Sequence, residues 1–88
     1  MTTPEYNRLI IHMSRDYGSL NRLIGIVRQR GFEIESMHLQ SESDDDYRIE
    51  MVIFSVRQPV HLVKKISQMA DVSSVSLVAA EKGAPACS

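Results

Sequence analysis

The stretch LIIHMSRDYGSLNRLIGIVRQRGFEIESM, residues 9–37, contains a strand, a turn, a helix and the start of a second strand. Up to Met13 the residues divide between the two faces of a strand, with Leu9, Ile11 and Met13 on one face and Arg8, Ile10 and His12 on the other. The turn Arg15–Ser19 opens a helix whose apolar residues recur at i, i+3, i+4 and i+7, and Gly31 suits its C-terminal end. This join aims the positive N-terminus of a helix at a strand end, where a small anion such as an amino-acid carboxylate can be held.

The flanking residues extend this pattern to a complete small domain. The sequence predicts strands over 6–13, 32–41, 47–56 and 72–79, and helices over 19–30 and from Pro59 to about residue 70. In the second strand the apolar phase changes from Phe32 and Ile34 to Met37 and Leu39, which indicates a bulge or a strand covered on both faces. The order β-α-β-β-α-β predicts an α+β, ferredoxin-like fold, with two helices on one face of a four-stranded antiparallel sheet.

The composition is that of an ordinary globular domain of 88 residues, with 43% hydrophobic and 24% charged residues. A formal net charge of -1 argues against a nucleic-acid binder or a basic membrane-surface module. Cys87 is the only cysteine, so we expect neither a disulfide framework nor a thiolate metal site. No apolar run approaches the roughly 20 residues of a membrane span, so a cytoplasmic location is expected. We expect a disordered lead over 1–5, the domain over 6–79 and a flexible tail over 80–88.

The sheet face away from the predicted helices is expected to carry several apolar side chains. These are Ile10, Phe54 and either Met37 or Leu39. An isolated monomer rarely exposes so many apolar groups on one surface. We therefore expect another chain to cover part of the sheet, and a homodimer formed through the sheet is the simplest case.

Four short motifs resemble those of one regulatory family. They are the helix start Gly18-Ser19-Leu20, the corner Arg28-Gln29-Arg30-Gly31-Phe32, the strand Ile34-Glu35-Ser36-Met37 and the step Asp71-Val72 before the last strand. Together they resemble the ACT domain of the small regulatory subunit of acetolactate (acetohydroxyacid) synthase, in its short, single-domain type. The resemblance covers about residues 7–78. The Gly-x-Leu start alone is a weak signal, whereas the combination of motifs is specific.

This resemblance implies a non-catalytic subunit that binds the large subunit of acetolactate synthase and raises its activity. In that family the large subunit carries thiamine diphosphate, Mg²⁺ and FAD and starts branched-chain amino-acid synthesis, so we expect no cofactor on this chain. In many members a dimer of ACT domains also binds valine at its interface and mediates feedback inhibition. The alternative is a free-standing ACT-domain amino-acid sensor that partners another enzyme.

The resemblance also implies an effector site in the first turn, the helix start and the second strand. Its residues are Arg15, Asp16, Tyr17, Gly18, Ser19, Leu20, Glu33 and Ile34. Effector-sensitive members usually have asparagine at the positions of Arg15 and Glu33. Asparagine both donates and accepts hydrogen bonds, whereas each replacement keeps one capacity, Arg15 for a carboxylate and Glu33 for an ammonium. We therefore expect activation of the large subunit without tight control by valine. The turn residues also suit an ordinary N-cap, which is the competing interpretation.

Arg22, Arg28 and Arg30 form a predicted basic stripe on the first helix. Docking on the large subunit is the functional interpretation, and a solvated surface is the alternative.

Other functions of this fold lack the residues that they require. RNA binding needs aromatic side chains on the central strands, where the third strand offers only Tyr47 and Phe54. The acidic run 44–46 lacks the spacing of a calcium loop. The histidines are scattered, so no metal site is expected, and no Ser-His-Asp or Cys-His set can be assembled. We therefore expect no catalytic activity from the chain itself.

Overall fold

The computed structural model describes residues 5–82, and the predicted lead before residue 5, the tail from residue 83 on and Cys87 lie outside the described residues. The elements, in chain order, are β1 Glu5–Ser14, α1 Tyr17–Gln29, β2 Glu33–Ser41, β3 Asp46–Ser55, α2 Val60–Ser67 and β4 Val72–Lys82. Glu5 and residues 80–82 therefore lie in strands, whereas the sequence analysis placed them in the lead and the tail.

The four strands form one antiparallel sheet in the order β2-β3-β1-β4. The predicted βαββαβ arrangement is confirmed, and β1 and β3 are the central strands. One face of the sheet packs against both helices, because alternate residues of β1 and β3 share a single buried cluster with residues of α1 and α2. Within residues 5–82, no helix is long and apolar enough to cross a membrane.

The core consists of side chains that are almost completely buried. They are Leu9, Ile11 and Met13 of β1, Tyr47, Ile49, Met51 and Ile53 of β3, Leu23 and Val27 of α1, Leu62 and Ile66 of α2, and Phe32 before β2. Because these residues come from two strands and two helices, each helix is held in place by contacts distant in sequence.

Both helices differ slightly from their predicted limits. Asp16 is the N-cap of α1, with extended backbone, so the helix starts before the predicted Ser19. Pro59 occupies the N-cap position of α2, and the helix ends at Ser67. Beyond that end, Met69 is half-buried against the core, whereas Ala70, which the pattern placed on the inward face, is exposed.

The second strand contains the bulge that its apolar phase predicted. The register of β2 against β3 shifts between Ile34 and Ser36, so Glu35 is the extra residue. Beyond the bulge, Met37 and Leu39 lie opposite buried, helix-facing residues of β3. The prediction that one of them lies on the uncovered face is therefore wrong, because the inserted residue restores the helix-facing phase.

The uncovered face of the sheet carries both apolar and charged residues. Tyr6 lies opposite Phe54, and their rings are 4.8 Å apart at an interplanar angle of 42°. Ile10 lies on the same face of β1, as predicted. Arg8 pairs with Val52 and Ile10 pairs with Glu50, so charged residues alternate with apolar ones across this face.

Candidate functional site

The turn between β1 and α1 is built around Asp16. Its extended backbone directs the side chain back over the helix start, where Oδ1 accepts a hydrogen bond from the backbone N–H of Gly18 at 3.0 Å. The carbonyl oxygen of Asp16 accepts the N–H of Leu20 at 3.0 Å. Tyr17 is the first residue of the helix, and Leu20 packs against the core. The predicted effector residues 15–20 are thus one continuous structural unit, and the predicted N-cap at Asp16 is present.

Ser19 connects this turn to the far end of the chain. Ser19 is only 1% exposed, and its hydroxyl donates a hydrogen bond to Asp71 Oδ2. Asp16 Oδ2 also lies 3.3 Å from Ser19 Oγ. The carbonyl oxygen of Asp71 accepts the backbone N–H of Ser14 at 2.9 Å. The Asp-Val step before β4 is therefore fastened to both sides of the first turn. Sequence analysis identified Asp71 only as part of a motif, because no local pattern shows a partner 52 residues away.

Arg15 lies against the hairpin between β2 and β3. Its backbone N–H donates to the carbonyl oxygen of Asp45 at 2.9 Å, and Nη1 donates to the carbonyl oxygen of Asp44 at 3.4 Å. Its guanidinium carbon is 5.3 Å from the centre of the Tyr47 ring, which is within the range of a cation–π contact. The side chain is exposed, so the guanidinium remains available to a ligand while the hairpin orients it.

Glu33 and Ile34 lie at the opposite end of the sheet. Ser14 pairs with Asp46 and Glu33 pairs with Phe54, and eight residues of strand between these β3 positions span about 26 Å. The structure therefore does not bring Arg15 and Glu33 into one pocket within a single chain. A site that uses both residues needs two copies of the chain.

Glu33 lines a cavity of about 500 Å³ between α1 and β2. Its other lining residues are Ile24, Arg28, Gly31, Phe32 and Ile34. This cavity has a guanidinium and a carboxylate beside the side chains of Ile24 and Ile34. Arg28 is therefore a basic neighbour of Glu33 that the sequence analysis assigned to docking instead.

The three arginines of the predicted basic stripe differ in their surroundings. Arg22, Arg28 and Arg30 are all exposed, but Arg28 lines the cavity beside Glu33, whereas Arg30 lines a different cavity next to α2. Arg30 is the C-cap residue, just beyond the end of α1. Their role in docking stays a prediction.

The cavity next to α2 was not predicted from the sequence. Its volume is about 300 Å³, and its lining residues are Arg30, Phe32, Arg57, Gln58, His61 and Leu62. Arg57 and His61 lie far from Arg30 in sequence and carry no recognisable motif. Only the packing of α1 against α2 brings them together.

The part of the chain that the structure describes contains no cluster of side chains suited to bind a metal ion. The side chains described between residues 5 and 78 include no group of three or more His, Cys, Asp or Glu arranged to hold a metal ion. His12 Nδ1 lies 2.7 Å from Glu42 Oε1, in a pair exposed at the end of the sheet. The acidic run 44–46 forms the tip of the β2–β3 hairpin.

The family is shown by a profile match. A profile of the ACT domain matches residues 15–75, which is more than half of the chain. The chain belongs to the ACT domain family. It is accordingly a regulatory domain of the amino-acid-sensing kind. No curated protein matches the sequence significantly.

Solved structures show the same fold at low sequence identity. The crystal structure of the ACT domain from GTP pyrophosphokinase of Chlorobium tepidum has a TM-score of 0.74 and 18% identity, over 86% of this chain and all of that chain (100%). The C-terminal domain of the MgtC protein from Mycobacterium tuberculosis has a TM-score of 0.71 and 14% identity, with 93% of each chain covered. Homoserine dehydrogenase from Thiobacillus denitrificans has a TM-score of 0.71 and 16% identity, over 88% of this chain and 17% of that one. At these identities the likeness concerns the fold alone.

Proposed function

We propose that this ACT domain is the regulatory small subunit of acetolactate synthase, which binds the catalytic large subunit and raises its activity. The observation that carries the proposal is the contact between two of the motifs that resemble that subunit. Ser19, in the Gly-Ser-Leu helix start, donates its buried hydroxyl to Asp71, in the Asp-Val step. Two motifs that are distant in sequence but joined by a hydrogen bond in the fold support the resemblance more strongly than two motifs without a contact.

The corner motif has an equally definite structural role. Gly31 has a φ of 86°, a conformation that favours glycine, and its N–H donates to the carbonyl oxygen of Arg28 at 3.1 Å. The next residue, Phe32, donates its N–H to Val27 and buries its ring in the core. The Arg-Gly-Phe sequence therefore ends α1 and positions the start of β2.

A homodimer through the β2 edge would complete the effector site. β2 is an edge strand, and residues 36–41 of it carry no acidic or lysine or arginine side chain that would block pairing. Leu39 on this edge is 42% exposed. Antiparallel pairing of two β2 strands about Met37 places Glu33 of a second copy near Gln40 and Ser41, next to the hairpin that holds Arg15, since the bulge at Glu35 shifts Glu33 by one position. The two predicted effector residues would then face one ligand from two copies.

The proposed site has the charges that an amino acid requires. Arg15 and the N-terminus of α1 would bind the carboxylate, and Glu33 of the second copy would bind the ammonium. Arg15 already contacts the Asp44 carbonyl oxygen and the Tyr47 ring, so a ligand must compete with these contacts. We therefore propose that valine binds weakly and that activation is the main effect of this subunit.

In this proposal the chain activates the large subunit through contacts that differ between its active and inactive arrangements, and it supplies no catalytic group. Thiamine diphosphate, Mg²⁺ and FAD belong to the large subunit in this proposal. The small subunit would bind the active arrangement of the large subunit more tightly than the inactive one and thereby shift the population toward it. Arg22, Arg28 and Arg30 on α1 are the proposed docking residues, as exposed cations that can pair with acidic side chains of the partner.

Retention by the purified large subunit tests this proposal. The chain should bind the immobilised large subunit saturably, and replacement of all three arginines by glutamine should weaken the binding. A variant with Lys64→Gln and Lys65→Gln on α2 is the matched control, because it removes exposed cations from a different helix. Failure of the wild-type chain to bind would support a free-standing amino-acid sensor instead. Equal weakening by both sets of substitutions would exclude α1 as the docking element.

A further inference from the structure

We infer that the cavity between the end of α1 and the start of α2 binds a small carboxylate that has an apolar body and no ammonium group. None of the proposed effector residues lines this cavity, which shares only Phe32 with the cavity beside Glu33, and the inference does not depend on the proposed function. Its basic side chains are the guanidinium groups of Arg30 and Arg57 and the imidazole of His61, and its apolar lining comes from Phe32 and Leu62.

The position of Arg57 is built into the fold. Its backbone N–H donates to Ser55 Oγ at 3.0 Å, and Ser55 Oγ in turn donates to the carbonyl oxygen of Gly31 at 3.2 Å. The side chain lies across Gly31, since a Cβ placed there would be 2.9 Å from Arg57 Nε and 3.4 Å from Cδ. The absence of a side chain at Gly31 thus allows Arg57 to lie beside Arg30.

The charges around this cavity are unbalanced. Among the side chains described between residues 5 and 78, none forms an ion pair with Arg30 or Arg57, and none of those that line the cavity is acidic. α2 begins here with His61 in its first turn, no side chain caps it, and its first turn contains no acidic residue. The partial positive charge of the helix start therefore adds to that of the two guanidinium groups. An anion is the ligand that relieves this excess of positive charge.

The apolar lining and the volume restrict the class of anion. Phe32 and Leu62 supply an apolar surface on which a hydrocarbon group can pack. A volume of about 300 Å³ lies at the low end of ligand pockets, so the ligand is small. An amino acid is disfavoured because its ammonium would lie among cations with no carboxylate to bind it. The cavity beside Glu33 differs in this respect, since it pairs Arg28 with a carboxylate.

Three matched compounds test this assignment by NMR titration of the isotopically labelled chain. They are 3-methylbutanoate, valine, which adds an ammonium, and 2-methylpropylamine, which lacks the carboxylate. We expect 3-methylbutanoate to shift the Arg57 Nε–H and His61 resonances saturably, and to bind at least tenfold more tightly there than the other two compounds. Inorganic phosphate is the fourth ligand, and we expect it to bind more weakly because it gains nothing from the apolar lining.

Substitutions define the site independently of the ligand series. Arg57→Gln should weaken binding of 3-methylbutanoate by roughly tenfold or more, since a charge-assisted hydrogen bond is lost. Arg8→Gln removes the same charge from the uncovered face of the sheet, outside the cavity, and should leave the affinity unchanged. Equal loss in both variants, equal affinity for valine at this site, equal affinity for phosphate, or no saturable shift would overturn the inference. The experiment needs no large subunit, so its result is separate from that of the regulatory proposal.

Discussion

Replacement of Gly31 by alanine should destabilise the domain at the corner that ends α1. Gly31 is the only residue among those the structure describes with positive φ, and at 86° an alanine costs roughly 1–2 kcal/mol. The added Cβ would also lie 2.9 Å from Arg57 Nε, so the arginine must move. The smaller freedom of alanine in the unfolded chain offsets roughly 0.4–1 kcal/mol. The expected net loss in the free energy of unfolding is about 1–2 kcal/mol, since the steric term adds to the backbone term.

Gly25 provides a control of the same chemical change. It lies inside α1, and a Cβ placed there meets nothing within 4 Å. Gly25→Ala should therefore raise the free energy of unfolding by roughly 0.5–1 kcal/mol, through helix propensity alone. Urea unfolding followed by circular dichroism, at one fixed protein concentration, measures both changes. A Gly31→Ala variant as stable as the wild type, or two variants that shift in the same direction, would refute the reasoning. Adding Gly31→Ala to an Arg57→Ala variant should cost less than adding it to the wild type. The clash with the arginine is then absent, whereas the cost of positive φ at alanine remains.

Three further predictions concern the bond between Ser19 and Asp71, the core residue Ile49 and the exposed contact of Glu42. Ser19→Ala should lower the free energy of unfolding by roughly 1–3 kcal/mol, because it leaves Asp71 without its buried donor. In the exposed control Ser74→Ala, urea unfolding should show a change below roughly 0.5 kcal/mol, and similar losses in the two variants would contradict a structural role for the bond between Ser19 and Asp71. Ile49→Ala, at a fully buried position of a central strand (0% exposed), should cost roughly 2–5 kcal/mol, and a thermal scan that shows only a small shift would argue against this core. Glu42→Gln alters an exposed side-chain contact with His12, so its effect in the same scan should stay below roughly 1 kcal/mol, and a larger loss would show that the contact has a structural role.

Much of the fold was accessible from the sequence because its signals are local. Apolar periodicity separates the strands from the helices, and Gly31 marks the end of α1. The phase change in the second strand predicted the bulge, which the register shift beside Ile34 confirms. It did not predict the face on which Met37 and Leu39 lie. A one-residue insertion exchanges the two faces of a strand, so this outcome depends on where the insertion falls.

The site was less accessible because it depends on contacts between distant residues. The turn around Asp16 could be recognised, since an N-cap is encoded within a few residues. The bond between Ser19 and Asp71 and the cavity beside Arg57 have no local signal. The separation of Arg15 from Glu33 is likewise a consequence of sheet geometry. Arg15 follows the last residue of β1, and α1 then carries the chain along the sheet, so β2 begins with Glu33 at the opposite end.

The decisive measurement for the regulatory function is the rate of acetolactate formation by the large subunit, supplied with its own cofactors, as this chain is added. The rate should rise and saturate, and valine should reverse little of the increase, because Arg15 and Glu33 replace the asparagines typical of effector-sensitive members. An increase that low valine concentrations abolish would show that these two residues form a tight valine site. A rate that stays unchanged at saturating concentrations of the chain would contradict the assignment as an acetolactate synthase subunit.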